Sequence, residues 1–281
     1  MIFLIKYNLL FLTLILTTNY SFSQILPSFH GTLFSDRIIK NNLVLYLDAS
    51  NTNSLDQNDL TAWNDLSSSD NNFAIKNGVV SYSSDGGGSL LFDGNDYFCI
   101  ESISDLNTTN LTISLWIKAT SVSNIVQGSE KYNGVLAQLA RTPTSILNEF
   151  QFTIRKNTGK LSFWDHDGAF RFSNSSGYSN SSVYENPNTW KFVTFTKDGV
   201  NGKYYINDTL DGTKTASGNV NYLSDWFCIG RDYRHDPDMP SGKSLTLGFE
   251  GYIGAVYVYS STLSANQVAG NYNATKSKYG Y

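Results

Sequence analysis

The chain has 281 residues, enough for one β domain to bury a sizeable core. Charged residues are 16% of the chain and the formal net charge is -4, so no basic field is available to hold nucleic acid or anionic lipid. Tyr (18) and Phe (17) are abundant, which favours sheets over helices.

The N-terminus has the three parts of a secretory signal: Lys6, an apolar run from Leu9 to Leu16, and small residues in Ser21-Phe22-Ser23 before a cut after Ser23. A membrane anchor is the alternative, but that run is well short of the ~20 residues a span needs. Residues 1–23 are therefore read as a signal peptide for a secreted or cell-surface protein, with no membrane span after cleavage. Residues 24–40 carry Pro27 and Gly31 without a sustained period and read as a linker or ordered lead-in. The folded domain is expected over 41–281.

Leu43–Leu47 is its first strand, followed by a polar turn cluster from Asp48 to Ser54. Trp63 and Phe73 bracket a polar loop and are placed to pin its two ends. Ser89–Ile100 reads as strand, Asp93-Gly94 turn, strand. Residues Leu111–Lys118 alternate cleanly, with Leu111, Ile113, Leu115 and Ile117 on one face. Gln151–Arg155 and Lys160–Trp164 flank Asn157-Thr158-Gly159 as a hairpin. Trp190–Thr196 and Lys203–Ile206 flank a turn rich in Asp and Gly, and Asp211-Gly212 is read as a further turn.

The stretch Gly248–Ser260 is dense in β-branched and aromatic residues and apolar on both alternating sets: Tyr252, Val256 and Val258 on one, Ile253, Ala255, Tyr257 and Tyr259 on the other. A strand of this kind is covered on both faces, and the remaining hairpins are expected to gather around it. One helix follows, from Ala265 into the early 270s. Ser264 and Gln267 form a capping box, Leu263 and Val268 a hydrophobic staple. This helix is expected to close one end of the fold rather than to form a layer.

Cys99 and Cys228 both sit in apolar strand-like runs. In an oxidising compartment they form a bridge worth about 5 kcal/mol in the chain-entropy model. Two buried free thiols are the other reading, since Cys packs well as a small apolar residue.

Many short strands separated by Asx-Gly turns, without βαβ alternation, mean an all-β sandwich or barrel. The pieces Leu45–Asp48, Trp63–Ser67, Ser89–Tyr97, Leu111–Lys118, the Trp190 strand with Asp198-Gly199, Tyr204–Asn207, and Phe249–Val256 through Ser264 occur in an order and spacing that resembles LamG-like (concanavalin A-like) jelly-roll domains. The resemblance implies two curved antiparallel sheets stacked face to face. Many such relatives carry Asp where Gly254 stands, so any role of that Asp in ion binding or strand closure is absent here.

Three function classes follow. The first is a non-catalytic binding module for glycan, as the fold often serves, with amphipathic aromatics against the apolar C–H faces of sugar rings. Trp164, Tyr178, Tyr184, Trp226 and Tyr233 are the candidates, while Trp116 and Trp190 are assigned to core packing. The second is a glycoside hydrolase or lyase, which needs paired carboxyl groups. The Glu-x-Asp-x-x-Glu motif of related hydrolases is missing from the chain, and the compact group Asp165-His166-Asp167 reads first as a solvated turn. The third is structural or adhesive, with another protein or a cell-surface component as partner. No cofactor is required by any of them. A structural calcium at the sandwich rim is weighed on Asp93, Asn95 and Asp96, or on Asp232, Asp236 and Asp238. Asn-x-Ser/Thr sequons at Asn107, Asn110, Asn174, Asn180, Asn207 and Asn273 matter only in a glycosylating host.

Overall fold

A computed structural model describes residues 37–101, 103–106, 109–120, 133–140, 149–155, 158–166, 178–218, 226–230 and 248–281. Among these the strands are β1 (Leu43–Asp48), β2 (Ala62–Trp63), β3 (Phe73–Asn77), β4 (Ser81–Ser83), β5 (Ser89–Asp93), β6 (Tyr97–Ile100), β7 (Asn110–Ala119) and β8 (Asn133–Ala140). They continue with β9 (Glu149–Ile154), β10 (Leu161–His166), β11 (Lys191–Asp198), β12 (Asn201–Ile206), β13 (Thr209–Thr215), β14 (Trp226–Ile229) and β15 (Glu250–Tyr259). Helix α1 (Ala265–Thr275) and a 3-10 turn (Lys276–Tyr279) end the chain. The expected signal segment and most of the lead-in lie outside the described residues.

The strands form two antiparallel sheets. One runs β13-β12-β11-β7-β15-β5-β4, with β1 also paired to β15; the other runs β10-β9-β8-β14-β6-β3-β2. Between them lies one apolar core, built by every second residue: Leu111, Ile113, Leu115 and Ile117 from β7, Val193 and Phe195 from β11, Phe150 and Phe152 from β9, Phe163 from β10. Rings meet across the two layers, as where Phe163 stacks on Phe195 with centroids 4.0 Å apart. The fold is the expected two-sheet sandwich.

Strand β15 is its organising element, paired along one side to β7 and along the other to β1 and β5. Its faces differ from simple alternation. The register shifts between Ile253 and Ala255, so Gly254 is a bulge and everything before it turns over. Ile253 therefore joins Val256 and Val258 in the central core, while Tyr252 joins Ala255, Tyr257 and Tyr259 on the outward face.

That outward face is buried as well. Helix α1 does not cap an end of the sandwich; it lies over this sheet and makes a second core. Leu263, Val268, Tyr272 and Tyr279 pack there against Trp116, Trp190, Phe192, Tyr257 and Tyr259. The reason is the composition of the strands. A sheet whose second face presents Trp116, Phe192 and Tyr257 must cover them, and the helix is the cover. The capping box is formed: Gln267 N–H donates to Ser264 Oγ (3.3 Å), and Ser264 N–H donates to Gln267 Oε1 (2.9 Å). Tyr279 stacks on Trp116 (centroids 4.1 Å), Trp116 donates its indole N–H to Thr275 Oγ1 (2.8 Å), and Lys278 reaches the buried Asp48 carboxylate (2.7 Å). Ile38 and Ile39 of the lead-in pack on the same core, and Ile39 N–H donates to Asn271 Oδ1 (2.8 Å).

One turn holds to its sequence reading and one does not. Asp93–Asp96 joins strands of different sheets, carrying the chain from the outer sheet's β5 to β6 across the core. Asp211-Gly212 is not a turn but lies inside β13; the reversal is made at Asn207-Asp208, where Asn207 has φ 59°.

Candidate functional site

The outward face of the eight-stranded sheet is not covered along its whole width. Beside α1, over β11 to β13, it stays open as a groove of about 860 Å³. Its floor is Thr196, Tyr205, Lys203, Thr213 and Thr215, and its far wall is the chain from Ser260 to Ala265. The wall is held rigidly. Thr112 Oγ1 donates to Ser261 O (2.9 Å) and accepts from Leu263 N–H (2.9 Å), while the Thr262 hydroxyl donates to Lys197 O. Hydroxyl and amide groups dominate the lining, and its charged residues are Asp198, Lys203 and Lys214. These residues escaped the sequence reading because they are small and polar. The available signals were the hydroxyl run Ser260-Ser261-Thr262 and Ser264, and Thr213 and Thr215 spaced by two in an edge strand.

A second cleft, of about 510 Å³, lies beside the same edge strand. Tyr178, Asn180, Lys160, Leu210, Gly212 and Thr213 line it. The chain at Tyr178–Ser181 is tied to both sheets. Ser179 exchanges hydrogen bonds with Leu161 of β10, and Ser181 donates from both its N–H and its hydroxyl to the Asp211 carboxylate of β13. Gly212 permits this approach, since a Cβ there would stand 2.8 Å from Tyr178 O. Tyr178 is half-buried, with the Arg155 guanidinium 4.3 Å from its ring centre.

The remaining aromatics chosen from sequence do not gather into one platform. Trp164 is only 7% exposed on the outward face of the seven-stranded sheet, its indole N–H donating to Gln151 Oε1 (3.0 Å). Trp226 is half-buried beside Tyr97 and the two cysteines. Tyr184 packs over the β9–β10 turn, where Gly159 leaves room for it. Tyr233 lies outside the described residues. Cys99 and Cys228 face each other in register on β6 and β14 and are joined as a disulfide.

The edge of the sandwich below the two clefts holds a buried charge cluster. Asp165 is fully buried in β10, not a solvated turn residue, because β10 continues through it and turns it inward beside Phe150. Lys197 of β11 meets it at 3.5 Å. Lys214 of β13 donates from Nζ to Phe163 O (3.1 Å), and Phe163 N–H donates to Tyr204 Oη (2.9 Å), so side chains of one sheet satisfy the free backbone edge of the other. Burial lowers the Lys197 ammonium, with Asp165 opposing. Burial also lowers Lys214, to about 8; Asp165 opposes this and Arg155 adds to it. His166 ends β10 and Asp167 lies outside the described residues.

Asp93, Asn95 and Asp96 are brought together in one turn. Asp96 is buried, and its two carboxylate oxygens accept from Val79 N–H and Asp93 N–H, both at 2.9 Å. Asn95 N–H donates to Asp93 Oδ1 (2.8 Å). Burial raises the Asp96 carboxyl above its ordinary range, with Asp93 contributing and the two N–H bonds opposing. Among the described residues no group of three or more His, Cys, Asp or Glu is placed to hold a metal ion. Asp232, Asp236 and Asp238 lie outside them.

A family model described as the concanavalin A-like lectin/glucanases superfamily matches residues 92–269. No curated protein sequence matches the chain. Among solved structures, domain 4 of AbnA, a GH43 extracellular arabinanase from Geobacillus stearothermophilus in complex with arabinotriose, is similar at 16% identity and TM-score 0.56, over 82% of this chain and 98% of that one. The binding domain of Paraclostridial Mosquitocidal Protein 1 is similar at 15% identity and TM-score 0.60, over 83% of this chain and 52% of that one. The binding domain of botulinum neurotoxin DC, in complex with SialylT, is similar at 15% identity and TM-score 0.53, over 84% of this chain and 52% of that one. The chain thus spans about half the length of the two toxin domains, and at these identities the likeness is one of fold. With more than half of its residues in the matched region and both sheets in place, the chain belongs to the concanavalin A-like lectin/glucanases superfamily.

Proposed function

We propose that this protein is a non-catalytic binding module for carbohydrate, exported by its N-terminal segment and acting outside the cell or at its surface. The observation that carries the reading is the open groove over β11 to β13, with its floor of threonine hydroxyls around Tyr205 and its pinned serine-rich wall. Sugars present many hydroxyls and apolar ring faces, and a shallow polar trough with a few apolar points suits them better than it suits an apolar ligand. The solved domains of like fold in complex with arabinotriose and with SialylT support the same reading. The missing Glu-x-Asp-x-x-Glu motif and the use of Asp165 as a buried ion-pair partner argue for binding without hydrolysis.

The test is a screen of the purified domain on immobilised glycans and soluble polysaccharides, scored for reducing-sugar release at the same time. Retention on at least one glycan class without new reducing ends is expected. Release of reducing ends would turn the reading into a hydrolase. Failure to bind any glycan, with capture of one protein partner, would make it an adhesive domain. Export is tested by blotting culture supernatant for a chain beginning at Gln24.

A further inference from the structure

We infer that the groove and the Tyr178 cleft are two ends of one binding track that crosses β13, and that its ligand is an extended, unbranched oligosaccharide rather than a terminal sugar. The inference rests on the carbohydrate reading and deepens it. Both depressions are walled by the same edge strand, and Thr213 lines both. Leu210, in the cleft, stands in register opposite Tyr205, on the floor of the groove. The strand between them is low and accessible. Thr209, Leu210, Thr213 and Thr215 are exposed, and Leu210 is 49% exposed, one of few large apolar side chains so placed among the described residues.

Both depressions mix polar groups with a few apolar points, as sugar rings and their hydroxyls require. Tyr178 and Leu210 offer apolar surface to ring faces on one side. Across the strand, Thr213, Thr215 and Asn201 offer hydroxyls and an amide for ring hydroxyls on the other. A single sugar can occupy one depression only, so binding energy accumulates only when the ligand is long enough to rest in both. The track is also preformed. One side is held by Ser181 on Asp211, and the other by Thr112 and Thr262 on the Ser260–Ala265 wall, so little ordering is left for the ligand to drive.

The test uses the mature chain with a length series of one to six units from cello-, xylo- and arabino-oligosaccharides, extended to whatever polymer the screen retains, measured by calorimetry. Two surface variants mark the two ends: Leu210→Ser in the cleft and Lys203→Ala in the groove, each checked for an unchanged melting curve. Affinity is expected to rise by about tenfold or more between two units and the longest chain. Each variant should weaken the longest chain by about three- to tenfold, and one of them should leave the disaccharide untouched. Affinity that is flat from two units onward, or a long chain indifferent to either variant, would overturn the track while leaving carbohydrate binding standing. If no chain binds at all, both readings fall.

Discussion

Lys214 offers a sharp test of how the two sheets are closed against each other. Its ammonium sits at the edge of the core, with Nζ on Phe163 O and the Asp165–Lys197 pair close by. Burial lowers it from 10.5 to about 8. A lysine lowered on folding holds fewer protons in the folded than in the unfolded chain between those two values, so stability must rise as pH rises through that window. Taking both values, the rise between pH 7 and 9.5 amounts to about 2 kcal/mol, out of about 3 kcal/mol for the full window. The buried tyrosines act in the opposite direction, mainly above pH 10, because burial raises them, and their share is common to the wild type and the variant. The perturbation is Lys214→Met, which keeps the alkyl stem and removes the titrating group. Urea unfolding at pH 7, 8, 9 and 9.5 should show the wild type gaining about 2 kcal/mol relative to the variant. The absolute stability of the variant is not the readout, since losing the bond to Phe163 O costs something on its own. Parallel profiles for the two proteins would refute the placement of Lys214 in a desolvated edge.

Other expectations concern the supports of the fold. Replacing Cys99 and Cys228 by Ala opens a 129-residue loop and should lower stability by about 2–5 kcal/mol; the intact protein, denatured without reductant, should show no titratable thiol. Gly254→Ala places a Cβ 2.6 Å from Tyr279 Oη and 2.7 Å from its Cε1, so the ring must leave Trp116, at a cost of about 1–3 kcal/mol and with loss of near-ultraviolet dichroism; an unchanged spectrum would contradict the bulge packing. Ser264→Ala removes the capping box of α1 and should cost about 1 kcal/mol, read as a melting shift. Asp96→Asn should destabilise the crossing between β5 and β6 equally with and without calcium, because both carboxylate oxygens are engaged by backbone N–H groups; rescue of the wild type alone by calcium would assign the turn to a metal.

Much of the architecture was readable because a strand's period of two is local. The alternation of Leu111, Ile113, Leu115 and Ile117, the pairing of β9 with β10 as a hairpin and the Ser264–Gln267 box each need only neighbouring residues, and each is in place. The candidate site was barely readable. The residues of the groove come from β7, β11, β12, β13 and the chain before α1, and no local pattern announces that five distant segments will share one trough. Aromatic residues carry the stronger local signal, and of these Tyr178 lines the second cleft.

By itself, the sequence determined the class of fold, the central place of the Gly248–Ser260 stretch and the cap of the one helix, since each follows from residue type and spacing along the chain. Only the tertiary structure decided which face each side chain of β15 takes, because one bulged glycine inverts the alternation before it. Only the tertiary structure, too, laid α1 over Trp116, Phe192 and Tyr257 and left a groove beside it over β11 to β13. Where a helix comes to rest depends on the apolar area it can cover, and that area exists only once distant strands have been brought side by side.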